Sequence, residues 1–301
     1  MVRMADSSDK ELGVVLDAVG PPGFASGNER DVEGVLDSSQ PPTRAVDPVW
    51  VWGVPFASQS MTEAVSAIGE LIEAARPTYV ITANVHYAML SHENPDLRAI
   101  NDQVAFILAD GAPLVWASRW QGSPLPERVA GADLIFELSA EAARKGHRLF
   151  LLGGADGVAE EASRRLRKRY PGLEIAGTEC PPFRQSTPEE EAALIERIRG
   201  AKADILLVAF GQPKGERWIR RNLERLAVPV SIQVGASLDF AADRVRRAPR
   251  WMQKCGLEWT FRLGLEPRRL FGRYLRNAWF IGRMVAWDIV RGAASRTRTP
   301  H

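Results

Sequence analysis

Tyr79-Val80-Ile81-Thr82-Ala83-Asn84, followed by His86-Tyr87-Ala88-Met89-Leu90, and then Val104-Ala105-Phe106-Ile107-Leu108-Ala109-Asp110-Gly111 ahead of Pro113, is the stretch that decides the fold. Each half is an apolar, β-branched run that closes on polar residues and opens into a helical pattern, with Pro113 placed to start a helix. Continuous apolar strands separated by helices predict a parallel sheet buried on both faces, which binds ligands at the carboxyl ends of its strands. Thr82, Asn84 and Asp110 fall at those ends. A carboxylate beside Gly111 suits general-base work, because glycine admits a substrate to the backbone while the strand fixes the acid. The plainer alternative is that Asp110 and Asn84 only cap the helices that follow them.

Working outward, Val49 to Val54 reads as the first strand, and Ser60 with Glu63 as the capping box of a helix that runs to about Arg76. Arg148–Leu152, Glu174–Gly177, Asp204–Ala209 and Val230–Val234 read as further strands, with helices between them. The expected fold is therefore α/β: a Rossmann-like, mostly parallel sheet with helices on both faces. Arg128, just before a helix that reaches about Lys145, can aim a guanidinium fork at a phosphate or simply sit in solvent. Gly153 and Gly154 open a turn into a helix N-terminus, which can hold a phosphate. That turn lacks the G-x-G-x-x-G pattern, and a tight structural turn explains it equally well. Thr187-Pro188-Glu189-Glu190 begins a later helix with cap, N1 proline and N3 glutamate in place.

The chain has 301 residues, of which 45% are hydrophobic and 25% charged, and its formal net charge is +2. The balance hides an asymmetry, since residues 1–47 lean acidic and are rich in Gly, Ser and Pro, whereas the chain after Arg244 is crowded with arginine. The first part reads as a disordered leader and the second as basic enough to require an anionic partner. Two cysteines, Cys180 and Cys255, without C-x-x-C spacing, fit a cytoplasmic, disulfide-free protein with no cysteine-based zinc site. No uncharged run reaches the roughly 18–20 residues of a membrane-spanning helix. From Arg246 onward, apolar residues including Leu270, Phe271, Trp279, Met284 and Trp287 recur at helical spacing among Arg268, Arg269, Arg273, Arg276, Arg283 and Arg291. Such a basic amphipathic appendage suits an anionic membrane interface; the alternative is a helix packed on the core or on a partner subunit. The expected organisation is a leader (1–47), a catalytic domain (48–245) and a helical, membrane-docking appendage (246–301).

Taken together, several stretches resemble the WecG/TagA/CpsF family of bacterial glycosyltransferases. They are Thr82-Ala83-Asn84, Ala109-Asp110-Gly111, Arg128 to Leu134, Leu151-Leu152-Gly153-Gly154, Phe210-Gly211-Gln212-Pro213-Lys214 with Glu216, Val234-Gly235-Ala236 with Asp239-Phe240, Arg247-Ala248-Pro249, and Gly256-Leu257-Glu258-Trp259 with Arg262 and Glu266-Pro267. The resemblance implies an inverting transfer of a sugar, often of N-acetylmannosamine type, from a UDP-sugar to a polyprenyl-diphosphate-linked saccharide. The setting it implies is polysaccharide biosynthesis at the inner face of the plasma membrane, without a metal or other cofactor. It maps the general base onto Asp110, polar pocket residues onto Thr82 and Asn84, and phosphate handling onto Arg128. It also makes Gly153, Gly154, Gln212, Lys214, Glu216, Gly235, Asp239, Arg262 and Arg269 substrate-binding candidates, with Arg262 and Arg269 folding over the pocket when membrane is present. Nucleic acid is not an expected partner, and a homo-oligomer is allowed. Two positions depart from the family pattern: Gly215, where many members have glutamine, and Asp243, where they have glycine. The first points toward a different donor, such as another hexose or a uronic acid. Competing readings are a nucleotide-dependent oxidoreductase, from the βαβ units, and a non-catalytic, membrane-associated assembly factor.

Overall fold

The computed structural model describes residues 47–181 and 187–296; all of the leader but Asp47 lies outside them. The chain starts with β1 (Val49–Val51), β2 (Val54–Phe56), α1 (Met61–Glu73), β3 (Thr78–Ala83), α2 (Val85–Glu93), α3 (Pro95–Gln103), β4 (Phe106–Ala109) and α4 (Ala112–Trp120). It continues through α5 (Gly131–Lys145), β5 (Arg148–Gly153), α6 (Val158–Arg169), β6 (Glu174–Glu179), α7 (Pro188–Gly200), β7 (Ile205–Ala209), α8 (Lys214–Leu226) and β8 (Val230–Gln233). Four helices follow: α9 (Ser237–Ala241), α10 (Arg250–Lys254), α11 (Glu258–Leu265) and α12 (Pro267–Arg296).

The strands form one sheet in the order β1-β2-β4-β3-β8-β7-β5-β6, parallel except where β1 meets β2. The expected first strand is thus a hairpin, with Trp52 (φ 49°) and Gly53 (φ 79°) as its two-residue turn. Two consecutive positive φ values match the twist of a tight hairpin, but tryptophan at the first gives no sequence signal for one. Side chains alternate across the sheet into two cores. Tyr79, Ile81 and Ala83 face one, with Tyr87, Leu97, Leu114 and Ile219, and Val80 and Leu108 face the other, with Ile68, Leu134 and Leu238. Both faces are therefore covered, as the unbroken apolar runs require. Ser60 and Thr187 each complete the capping box read from the sequence.

From β3 the chain steps outward to β4 and then crosses to the far half of the sheet for β5 through β8. That reversal leaves a crevice above the carboxyl ends of β3, β4 and β8. α12 starts over this end and is fixed against the sheet further along: Phe280 and Met284 are buried in the first core, and the Trp52 and Phe280 rings meet edge-on at 5.7 Å. Asp288 accepts hydrogen bonds from Trp52 Nε1 at 3.2 Å and Gln121 Nε2 at 3.0 Å. Among the described residues no helix is long and apolar enough to cross a membrane.

Candidate active site

A cavity of about 240 Å³ lies in the crevice, between the ends of β3 and β4 on one side and α11 and α12 on the other. Asp110 lines it. The capping alternative fails for this residue, because Gly111 is the N-cap of α4 and no side chain caps that helix. Burial pushes the Asp110 carboxyl up to about 6, while Arg128 pulls it down and Glu258 pushes it up. It is thus a carboxylate near neutral pH, with a stronger pull on a proton than an exposed aspartate.

Asn84 also lines the cavity. Here the capping reading holds as well, since its Oδ1 accepts from the backbone N–H groups of His86 at 2.9 Å and Tyr87 at 3.2 Å. Thr82 sits lower. It is buried, its hydroxyl donates to Gln233 O at 2.9 Å, and its own carbonyl accepts from Gln212 Nε2 at 3.1 Å. Thr82 and Gln212 therefore brace the strand ends beneath the cavity.

Arg128 reaches the cavity wall with its fork already engaged: Nη1 lies 2.9 Å from Glu258 and Nη2 3.2 Å from Asp133. Arg247 closes the same network, 2.9 Å from Asp133 and 3.2 Å from Glu258. These pairs tie α11 to the start of α5 and hold the Arg128 guanidinium in one orientation.

Arg262 of α11 and Arg273 of α12 also line the cavity. Their guanidinium groups lie 5.3 Å from the ring centroids of Phe240 and Tyr274, and the buried Nε of each has no hydrogen-bond partner. Two cations held on aromatic rings with unused donors are suited to an anion. Arg269 is exposed, pairs with Glu266 at 2.5 Å and does not line the cavity. Asp239 is half-buried nearby; burial raises its carboxyl against the pull of Arg269 and Arg262. Thus the C-terminal segment already lies over the pocket in this structure, with Arg262 in the wall.

Gly153 and Gly154 do not line the cavity, and packing explains both. A Cβ on Gly153 would lie 2.9 Å from Phe210, and one on Gly154 would lie 2.8 Å from Val158. Lys214 is exposed at the first position of α8, and the Gly235 N–H donates to Gln233 Oε1 at 2.5 Å; neither reaches the cavity. The two departures have local causes. At Gly215 a Cβ would lie within 2.9–3.0 Å of the Gln233 side chain, so a glutamine there would displace Gln233. Asp243 adopts φ 57°, a left-handed backbone that favours glycine and that aspartate tolerates, and its carboxylate pairs with Arg165 at 3.2 Å.

Glu216 is wholly buried in the first turn of α8, with neither carboxylate oxygen in a hydrogen bond. Burial pushes its carboxyl from 4.5 up to about 7, although the amides of Gln233 and Gln212, close by without hydrogen-bond geometry, favour the charged form. The folded chain holds this proton more tightly than the unfolded one. Its contribution to stability is full below pH 4.5 and is lost as pH rises through about 7. Glu216→Gln is accordingly expected to stabilise the protein at pH 8 by on the order of 3 kcal/mol and to change little at pH 4.5. Thermal unfolding at the two pH values checks this, and an equal effect at both would show that no buried proton is involved.

His86, Glu258, Arg273 and Asn277 were given no place in the site by the sequence reading, yet all line the cavity. His86 Nδ1 lies 3.2 Å from Asn277 Oδ1, and burial, with Arg273 and Arg276, pushes the imidazole pKa down. Asn277 is a polar residue in line with Leu270, Phe280 and Met284 on α12, and that spacing is the signal by which the sequence could have found it.

Residues 49–294 match the glycosyl transferase WecG/TagA/CpsF family. An N-acetylglucosaminyldiphosphoundecaprenol N-acetyl-beta-D-mannosaminyltransferase of Bacillus spizizenii is 30% identical over 215 residues, which span 71% of this chain and 82% of that one. A Bacillus subtilis protein of the same name is 29% identical over 220 residues, or 73% and 84% of the two chains.

Proposed function

Because the chain belongs to the WecG/TagA/CpsF family, and is therefore a glycosyltransferase, we propose that it moves a sugar from a UDP-sugar to a polyprenyl-diphosphate-linked saccharide with inversion. In this reading residues 48–245 form the catalytic domain with the general base, and the segment from 246 both completes the pocket and docks on the cytoplasmic face of the plasma membrane, where cell-envelope polysaccharide is built. The donor is an N-acetylmannosamine type, another hexose or a uronic acid. Gly215, with Gln233 packed against it, is the local reason to keep the latter two open.

The observation that carries the proposal is a half-buried carboxylate, Asp110, sharing one cavity with Arg262 and Arg273, whose Nε donors are unused. Asp110 takes the proton of the acceptor hydroxyl as its oxygen attacks the anomeric carbon. The bond from that carbon to the UDP oxygen breaks, and the electron pair leaves with UDP. Arginines supply the fixed positive charge that the leaving diphosphate needs, so no metal is required. The test is turnover with a panel of UDP-sugars and a short-chain prenyl-diphosphate N-acetylglucosamine, with product identified by mass spectrometry. Activity is expected to be unchanged in EDTA and weakened by Arg128→Ala. No product with any donor would defeat the proposal, and activity lost in EDTA and restored by Mg²⁺ would defeat its metal-independent part.

A further inference from the structure

A second cavity, of about 580 Å³, shares Arg128 with the first. Its wall carries Arg119 of α4 and Arg250 of α10, with Trp116 on its apolar side. Among the described residues, neither the Arg119 nor the Arg250 guanidinium has an ion-pair or hydrogen-bond partner. The one carboxylate in the lining, Glu127, accepts the Met61 N–H at 2.6 Å. Trp116, Trp120 and Trp251 are 51%, 71% and 61% exposed, two of them one turn apart on α4 around Arg119 and the third next to Arg250. Unpaired guanidinium groups ringed by exposed tryptophan fit a ligand with a phosphate end and a hydrocarbon end.

An inverting displacement sets a geometric condition. The acceptor oxygen enters on the face of the anomeric carbon opposite to the departing diphosphate, so two diphosphates must be held apart. The molecule has two sets of cations, Arg262 with Arg273 in the first cavity and Arg119 with Arg250 in the second, with Arg128 common to both. We propose that the second cavity binds the diphosphate of the lipid-linked acceptor, leaving its sugar at Asp110 and its prenyl chain passing out beside Trp116, Trp120 and Trp251. This rests on the transferase reading above.

The experiment uses the full chain with Arg119→Gln, Arg250→Gln and both together, assayed on a short-chain, water-soluble prenyl-diphosphate N-acetylglucosamine. The double variant is expected to raise the acceptor KM by about 100-fold or more, as loss of two charge-assisted contacts would. The donor KM, the UDP affinity by calorimetry and the melting temperature should stay within about twofold or a degree or two of wild type, since both side chains are exposed. An unchanged acceptor KM would overturn the proposal. So would an equal rise in donor KM, which would assign the cavity to the donor. If the variants lose flotation only on phosphatidylglycerol vesicles, with acceptor KM intact, the arginines meet lipid headgroups instead and the proposal also falls. An active Asp110→Asn enzyme would remove the general base while leaving the arginine result to stand or fall by itself.

Discussion

Asp110→Asn is expected to cut turnover by about 10²- to 10⁴-fold while UDP affinity stays near wild type and stability is equal or higher. The amide fills nearly the same space in the cavity but cannot take the acceptor proton. Stability does not suffer because the variant removes a charge that its partly desolvated site disfavours, the carboxyl being pushed up to about 6. The same value predicts the pH profile of the natural enzyme. A base works only when unprotonated, so kcat/KM should be level at neutral pH and above, and should fall to about half near pH 6 and further below it. Steady-state kinetics between pH 5 and pH 8, with calorimetry for UDP, check both. Near-wild-type turnover in the variant would take Asp110 out of the mechanism.

The second large effect is expected at the membrane. Phe271, Leu275 and Trp279 are 62%, 62% and 78% exposed, and their spacing of four places them along one stripe of α12. Replacing all three with serine is expected to lower partition onto vesicles by about 100-fold or more, because each buried side chain of this size contributes roughly 1.5–3 kcal/mol. Flotation should weaken only partly in high salt, which screens Arg268, Arg276 and Arg283 but not the apolar stripe. Turnover on a soluble acceptor should persist, since none of the three lines the cavity. Removing the whole segment is a poorer test, because Leu270, Phe280 and Met284 are buried and their loss would uncover the core. Undiminished flotation of the triple variant would reject docking through this stripe.

The sequence made the sheet readable where local pattern carries the information. β3 and β4 are unbroken apolar runs, and the capping boxes at Ser60 and Thr187 mark helix starts by residue type alone. Strand order was not readable: β8 lies beside β3 because Thr78 pairs with Val230, a contact that no neighbouring residue announces. The site divided along the same line. Asp110 and Asn84 end strands and could be located from them, and Arg262 lay in a recognisable motif. Which polar residues face the cavity depends on tertiary approach, so Thr82 and Glu216 proved to lie beneath it. His86 and Asn277, 191 positions apart, meet only because α12 returns across α2.

The fastening of α12 by Phe280, Met284 and Asp288 also sets a distance. A helix anchored at those points cannot pivot freely about Pro267. With its exposed stripe resting on a bilayer, such a helix would hold Asp110 at one height above the lipid phosphates, as a gauge does. A saccharide whose free hydroxyl stood at that height would meet the base, and one already extended by another sugar would carry its terminal hydroxyl past it. Selection for the length of the growing chain would then come from the helix, with no contact needed to the sugars being counted.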